Sequence, residues 1–247
     1  MENPRFRTVT RTSSLASGRI VVVSPHLDDA VMSLGATIAG AVAAGATVEI
    51  LTVFGYRPGS PAPAGPWDSR SGYRTEGEAA LHRRREDAEA CRILGAEQRV
   101  MSFGAEPYER GAEPGQIRAA VVAAVAGADC VLMPGFPLVH PDHDELTQLL
   151  LGAGLPCRVG LYAEQPYLFY ERKTLRPEMR AATLDESLTG RLHWLRLGMG
   201  RSERRLKMRA IRCYRSQLRP LGLSRIGLYW LLWHEARRGG EAVAWLP

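Results

Sequence analysis

The stretch IVVVSPHLDDAVMSLG, Ile20–Gly35, changes character halfway along. Ile20–Val23 is a short β-branched run of the composition that makes a fully buried strand. From Ala30 onward, small residues at helical spacing predict a packed helix. His26, Asp28 and Asp29 therefore fall on the strand-to-helix loop. In open α/β sheets ligands bind beyond the carboxyl ends of the strands, so this loop aims three ionisable side chains at the expected site. A histidine and a carboxylate three residues apart on a tight turn can converge on one cation. Zinc accepts that mixture, and a catalytic zinc needs three protein ligands and a position for water. One of the two aspartates is equally expected as a helix cap; a cap, however, requires neither the second acid nor the histidine.

The third ligand has a source at the end of another apolar run, Cys130–Met133. After a Pro/Gly-rich turn the chain reads HPDHD, His140–Asp144. Together the two strand ends hold a His, an Asp and a His for a tripod, with an aspartate and a histidine left over for proton transfer.

PHLDD ahead of a small-residue helix, with HPDH about a hundred residues later, resembles the LmbE/PIG-L family of zinc-dependent N-deacetylases, which remove acetyl groups from N-acetylglucosamine units. RREDAEACRILG (84–95), YAEQPY (162–167) and KMRAIRCYRSQ (207–217) extend the resemblance to Gln217. It implies His26, Asp29 and His143 as ligands of one Zn2+ per chain, or of another divalent metal. It also implies Asp28 as general base and His140 as the protonated electrophilic and acid partner. The family's usual first motif has proline where this chain has Leu27 and glutamate where it has Ala30; neither change removes an implied ligand. The implied substrate is a small-molecule N-acyl amino sugar or a glycosylated natural product, as in antibiotic biosynthesis. Two other readings stay open: hydrolysis of a non-sugar amide by the same zinc machinery, and a degenerate module that binds without catalysis.

With 247 residues, 45% of them hydrophobic, the chain is long enough for one sizeable α/β domain over 20–247. Alternating strands and helices predict a Rossmann-like three-layer sandwich with a mostly parallel sheet and a helical C-terminal extension. Residues 1–19 are polar and basic, which predicts a flexible arm rather than a secretory signal. The uncharged stretch Ala30–Val48 reads as a buried helix and not a membrane span. Cysteines 91, 130, 157 and 213 have no CxxC spacing and read as reduced core residues of a cytoplasmic protein. GxGxxG is absent after the first strand, which argues against a dinucleotide site.

Gly55–Gly77, rich in Gly, Pro and Ser, reads either as a cover over the site or as a disordered insertion. The Arg83–Arg85 run reads as a solvated helix face, and Arg99–Phe103 as the third strand. Charge divides the chain: residues 1–170 carry 15 positive and 19 negative side chains, residues 171–247 carry 17 and 7. Arg191–Arg219 in that basic region, which begins about residue 185, reads as a helix whose Leu192, Leu195, Met199, Leu206, Ile211 and Tyr214 face inward. The aromatic Ile226–Trp233, with Trp245, reads as a homo-oligomer contact or as a cover over the core. No nucleic-acid partner is expected from any motif.

Overall fold

The computed structural model describes residues 6–11, 18–170 and 192–247. Its centre is the run read first: β2 (Arg19–Ser24) leads into α1 (Asp29–Ala43), and Gly45 at φ +94° turns the chain into β3 (Thr47–Thr52). Two helices follow, α2 (Pro66–Arg70) and α3 (Glu76–Leu94). Thr75 caps α3 by accepting from the Glu78 amide, and Gly95 ends it in the left-handed conformation that glycine adopts without strain. Then come β4 (Glu97–Val100), α4 (Pro114–Val125), β5 (Cys130–Phe136), α5 (Pro141–Leu151), β6 (Arg158–Ala163) and the single turn α6 (Tyr167–Tyr170).

The parallel strands lie in the spatial order β4-β3-β2-β5-β6. From β2 the chain works outward to the β4 edge and then crosses back to β5 and β6 on the other side of β2. The order reverses between β2 and β5, paired through Ile20 with Cys130 and Val22 with Leu132. Reversal leaves a crevice at the carboxyl ends of those two strands, the place where open α/β sheets bind ligands. Both motifs of the sequence emerge there. The fold is the expected Rossmann-like α/β sandwich. Its helix α1 is buried along nearly its whole length, which accounts for its lack of charge after Asp29. Among the described residues no helix is long and apolar enough to cross a membrane.

The C-terminal region is less helical than its composition suggests. β7 (Trp194–Gly198) and β8 (Glu241–Trp245) extend the sheet beyond β6, with β8 antiparallel to both neighbours. Only from Arg201 does the chain become helical, as α7 (Arg201–Ile211), α8 (Arg215–Leu218) and α9 (Arg225–Arg237). The helix expected over Arg191–Arg219 is therefore cut short at its start. Gly198 and Gly200 separate the two conformations, and Arg196 is buried within the strand, its guanidinium bonded to the Gly240 carbonyl. The arm also departs from expectation: Phe6–Arg11 is strand β1, parallel to β7 at the sheet edge. The third parallel strand is shorter and earlier than Arg99–Phe103, ending at Val100. The disordered-insertion reading of Gly55–Gly77 fails, because the segment holds α2 and is tied down by Tyr108, whose hydroxyl accepts from the Gly65 amide and donates to Asp68.

Candidate metal centre

β2 delivers the first cluster through a tight turn. Ser24 Oγ donates to the His26 carbonyl at 2.6 Å and accepts the Ala30 amide, while Asp29 Oδ2 accepts the His26 amide at 2.8 Å. This folds the Asp29 carboxylate back beside its own histidine. β5 delivers the second cluster. Pro141 opens α5, and His140 precedes it as the cap, its Nδ1 accepting the Asp142 amide at 3.2 Å. His143, one turn in, is fully buried and points across to β2.

Three atoms then converge. His26 Nδ1, His143 Nε2 and Asp29 Oδ2 form a triangle whose edges are each 3.2 Å. Tetrahedral zinc with bonds of about 2.0–2.1 Å requires ligand atoms about 3.3–3.4 Å apart. The remaining nitrogen of each imidazole is already engaged: His26 Nε2 with Asp142 Oδ2 at 2.7 Å, and His143 Nδ1 with Glu164 Oε2. Such carboxylates fix the tautomer, so that the converging nitrogens present lone pairs. Asp142 is itself held by Arg110 at 2.6 Å and by the Glu106 amide. The donor set and its spacing fit a divalent cation. His140 joins the same cluster, with ring nitrogens of the three histidines within 4.8 Å of one another. Two triads thus share His26 and His143, one closed by Asp29 and one by His140.

Electrostatics agree with a site built for positive charge. Burial disfavours protonated imidazoles, yet Asp29 and Glu164 raise His143 well above the ordinary histidine range, and Asp142 and Asp29 raise His26. Asp29 falls well below the usual carboxylate range, since the two histidines outweigh its burial. Asp28 goes the other way: burial, reinforced by the neighbouring Asp29, lifts it to about 7. Its side chain makes no cap hydrogen bond, although the residue sits at the N-cap of α1. Burial and the two nearby histidines lower His140 to about 4, which leaves it neutral, with its proton on Nε2.

All five residues singled out in the sequence meet in one crevice. Four supporting side chains were harder to foresee. Arg83, expected on a solvated face, is buried against Asp68 and the Tyr56 hydroxyl, because the segment after β3 folds over that side of α3. Its neighbour Arg85 is exposed as expected. Asp142 was visible only as the spacer between two histidines, Glu164 as a strand-end acid suited equally to bonding the substrate, a metal ligand or a nearby arginine, and Arg110 carried no local signal.

Relatives bear on this geometry. The profile of the PIG-L family, described as GlcNAc-PI de-N-acetylase, matches residues 21–153, which contain the whole triangle. The chain is 35% identical over 179 residues to 2'-N-acetylparomamine deacetylase of Streptomyces fradiae, covering 64% of this chain and 61% of that relative. It spans, then, less than two thirds of the length of the curated relative it matches. Among solved structures it is similar to the A40926 pseudoaglycone deacetylase Dbv21, with 29% identity, TM-score 0.78 and coverage of 92% and 96% of the two chains. A triple mutant of the teicoplanin-pathway deacetylase Orf2 superimposes with TM-score 0.78 at 27% identity, covering 92% of this chain and 96% of the other. With more than half of its length matched by the family profile, this chain belongs to the PIG-L family.

Proposed function

We propose that the chain is a zinc-dependent N-deacetylase acting on an N-acetylated amino sugar carried by a natural product. The observation that carries this reading is the 3.2 Å triangle of His26 Nδ1, Asp29 Oδ2 and His143 Nε2 beside a carboxylate that is free to move protons. His26, Asp29 and His143 hold the metal, in preference to the triad closed by His140, because the Nδ1 of His140 is spent on the Asp142 amide. Bound there, zinc supplies Lewis acidity and acidified water near neutral pH.

Asp28 takes the proton of the attacking water. Lifted to about 7, it is basic enough to accept that proton and acidic enough to pass it to the leaving nitrogen. His140 donates its Nε2 proton as a hydrogen bond to the oxygen that becomes negative, acting as a neutral donor and not as the imidazolium implied by the resemblance. Water oxygen adds to the acetyl carbon, the C–N bond breaks, and acetate and a free amine leave. Leu27 and Ala30 are both buried, and the triangle closes without the missing glutamate, which supports a working site over a degenerate one. The relatives are named for 2'-N-acetylparomamine and the A40926 pseudoaglycone, which makes an amino sugar on a larger scaffold the substrate class of this reading. Free thiols at all four cysteines suit a reducing compartment, so the reading places the enzyme in the cytoplasm.

The test is acetate release from 2'-N-acetylparomamine and from N-acetylglucosaminyl natural products by zinc-loaded protein, with Asp28→Asn in parallel. Release that is sensitive to chelation and falls about 10²–10⁴-fold in the variant is expected. Undiminished turnover in Asp28→Asn would overturn the base assignment; no amide hydrolysis on any N-acetyl sugar would overturn the function.

A further inference from the structure

The basic C-terminal region has no part in this chemistry. Residues 192–247 hold twelve Lys and Arg against three Asp and Glu, and two of those acids, Glu235 and Glu241, are buried against Lys207. Its surface is cationic almost without relief. Helix α9 also breaks the usual rule of one apolar side. Leu228, Leu231 and Leu232 face the core, yet Ile226, Tyr229 and Trp230 stand 70, 60 and 47% exposed on the other side. They are three of the five large apolar side chains so exposed among the described residues. The stripe continues through Trp233, packed against Trp230 at 5.2 Å and covered by the Arg237 guanidinium at 4.6 Å.

At the start of α9 lies a cavity of about 420 Å³. Leu218, Leu223 and Leu228 line its apolar part, and Arg212, Arg215 and Arg225 surround it. None of the three arginines forms a salt bridge with a described residue. Apolar lining ringed by free guanidiniums fits an anion that carries hydrocarbon. β8 runs antiparallel to β6, so the end of α9 lies at the carboxyl edge of the sheet. Beside the cavity, the Ser216 carbonyl accepts from the Ser71 hydroxyl and the Gln217 side chain accepts from the Trp67 indole, both in the segment that follows β3.

We propose that the outer face of α9 and the adjoining arginine-ringed cavity dock on an anionic phospholipid surface. Tryptophan and tyrosine settle at the headgroup level of bilayers, arginines pair with anionic headgroups, and Ile226 reaches the acyl region. A second copy of the chain is a poor occupant, because a two-fold contact would set this cationic face against itself. Nucleic acid would use the arginines and the aromatic rings but has no use for the isoleucine. No residue of the His26 cluster lines the cavity or lies on α9.

The experiment is co-sedimentation of the full chain with phosphatidylcholine vesicles containing phosphatidylglycerol, and with phosphatidylcholine alone. Binding only to the anionic vesicles is expected. Arg212→Gln/Arg215→Gln/Arg225→Gln should bind about a hundredfold more weakly, and Ile226→Ser/Trp230→Ser about tenfold. Zinc content and melting temperature, read for each variant, show that it remains folded. Absence of parental binding to anionic vesicles would overturn the proposal. So would vesicle binding unchanged in either variant, or a duplex RNA that competes fully while the Ile226→Ser/Trp230→Ser variant binds like the parent.

Discussion

Two buried charge clusters touch the same helix, and they are built to opposite plans. At the first turn of α1, His26, Asp29 and His143 bring lone pairs to a point, with Asp142 and Glu164 behind them. Two turns further on, Glu241 receives the Ala36 and Thr37 amides at 2.9 and 2.7 Å. The Lys207 ammonium sits between Glu241, Glu235 and the Ser33 carbonyl, at 2.6, 2.8 and 3.5 Å. The deeper cluster carries its own cation, covalently attached. The outer one presents donors without a chain-borne cation among them. Where the role is to join elements, the chain fills the centre itself; in the site proposed for catalysis it supplies donors that an exchangeable ion would complete.

If that contrast is right, removing a donor from the outer cluster should abolish activity at little cost to folding. His143→Ala and Asp29→Ala should each lose the single zinc measured by elemental mass spectrometry and drop acetate release to background, with a cooperative melt retained. A variant with full zinc and activity would break the contrast at its root. Removing the cation of the inner cluster should do the reverse. Lys207→Met strands two buried carboxylates, which costs about 3–5 kcal/mol in chemical denaturation. Whatever fraction stays folded should still bind one zinc. A Lys207→Met protein of parental stability but without metal would mean that Lys207 serves the site.

A smaller effect is expected one layer out from the metal. Glu164→Gln leaves all three donors in place but no longer pulls on the His143 Nδ1 proton, so zinc affinity measured by chelator competition should fall about 10–100-fold. Arg110, which reaches the site only through Asp142, should matter less than Glu164. The reverse order would place the main orienting force on the β2 side.

How much of this contrast was written locally in the chain differs between the clusters. The outer one was legible because each half is a short motif at a strand end: HLDD after a β-branched run, HPDH after another. The strand order that brings them together follows from alternating strands and helices. The inner cluster was not legible. Lys207 lies in an arginine-rich helix that reads as solvated, and its partners come 28 and 34 residues later, so only the packing of α7 across α1 pairs them. That packing is close: a Cβ on Gly35 would come within 2.9 Å of Lys207 Cγ. β7 escaped for a related reason, since Trp-Leu-Arg-Leu hides a two-residue period among residues that also suit a helix. Arg83 was misplaced because burial of a charge depends on partners, Asp68 and Tyr56, that lie in a different segment.

The smallest effect tests how the inner cluster balances its charge. Two glutamates face one lysine, and burial lifts Glu235 to about 7 while Lys207 is raised by both carboxylates. Below neutrality, then, Glu235 carries a proton and Glu241 alone neutralises the ammonium. A carboxyl whose folded value lies above its unfolded value contributes stability that is complete below the unfolded value, near 4.5. That contribution is lost as pH rises towards about 7 and is flat beyond. Glutamine has the shape and polarity of the protonated acid, so Glu235→Gln should melt close to the parent at pH 5. Relative to the parent it should gain as pH is raised to 8, because the parent ionises a buried acid and the variant has none. Identical pH slopes in the two proteins would move the proton to another group and leave the inner cluster with two full negative charges against one lysine.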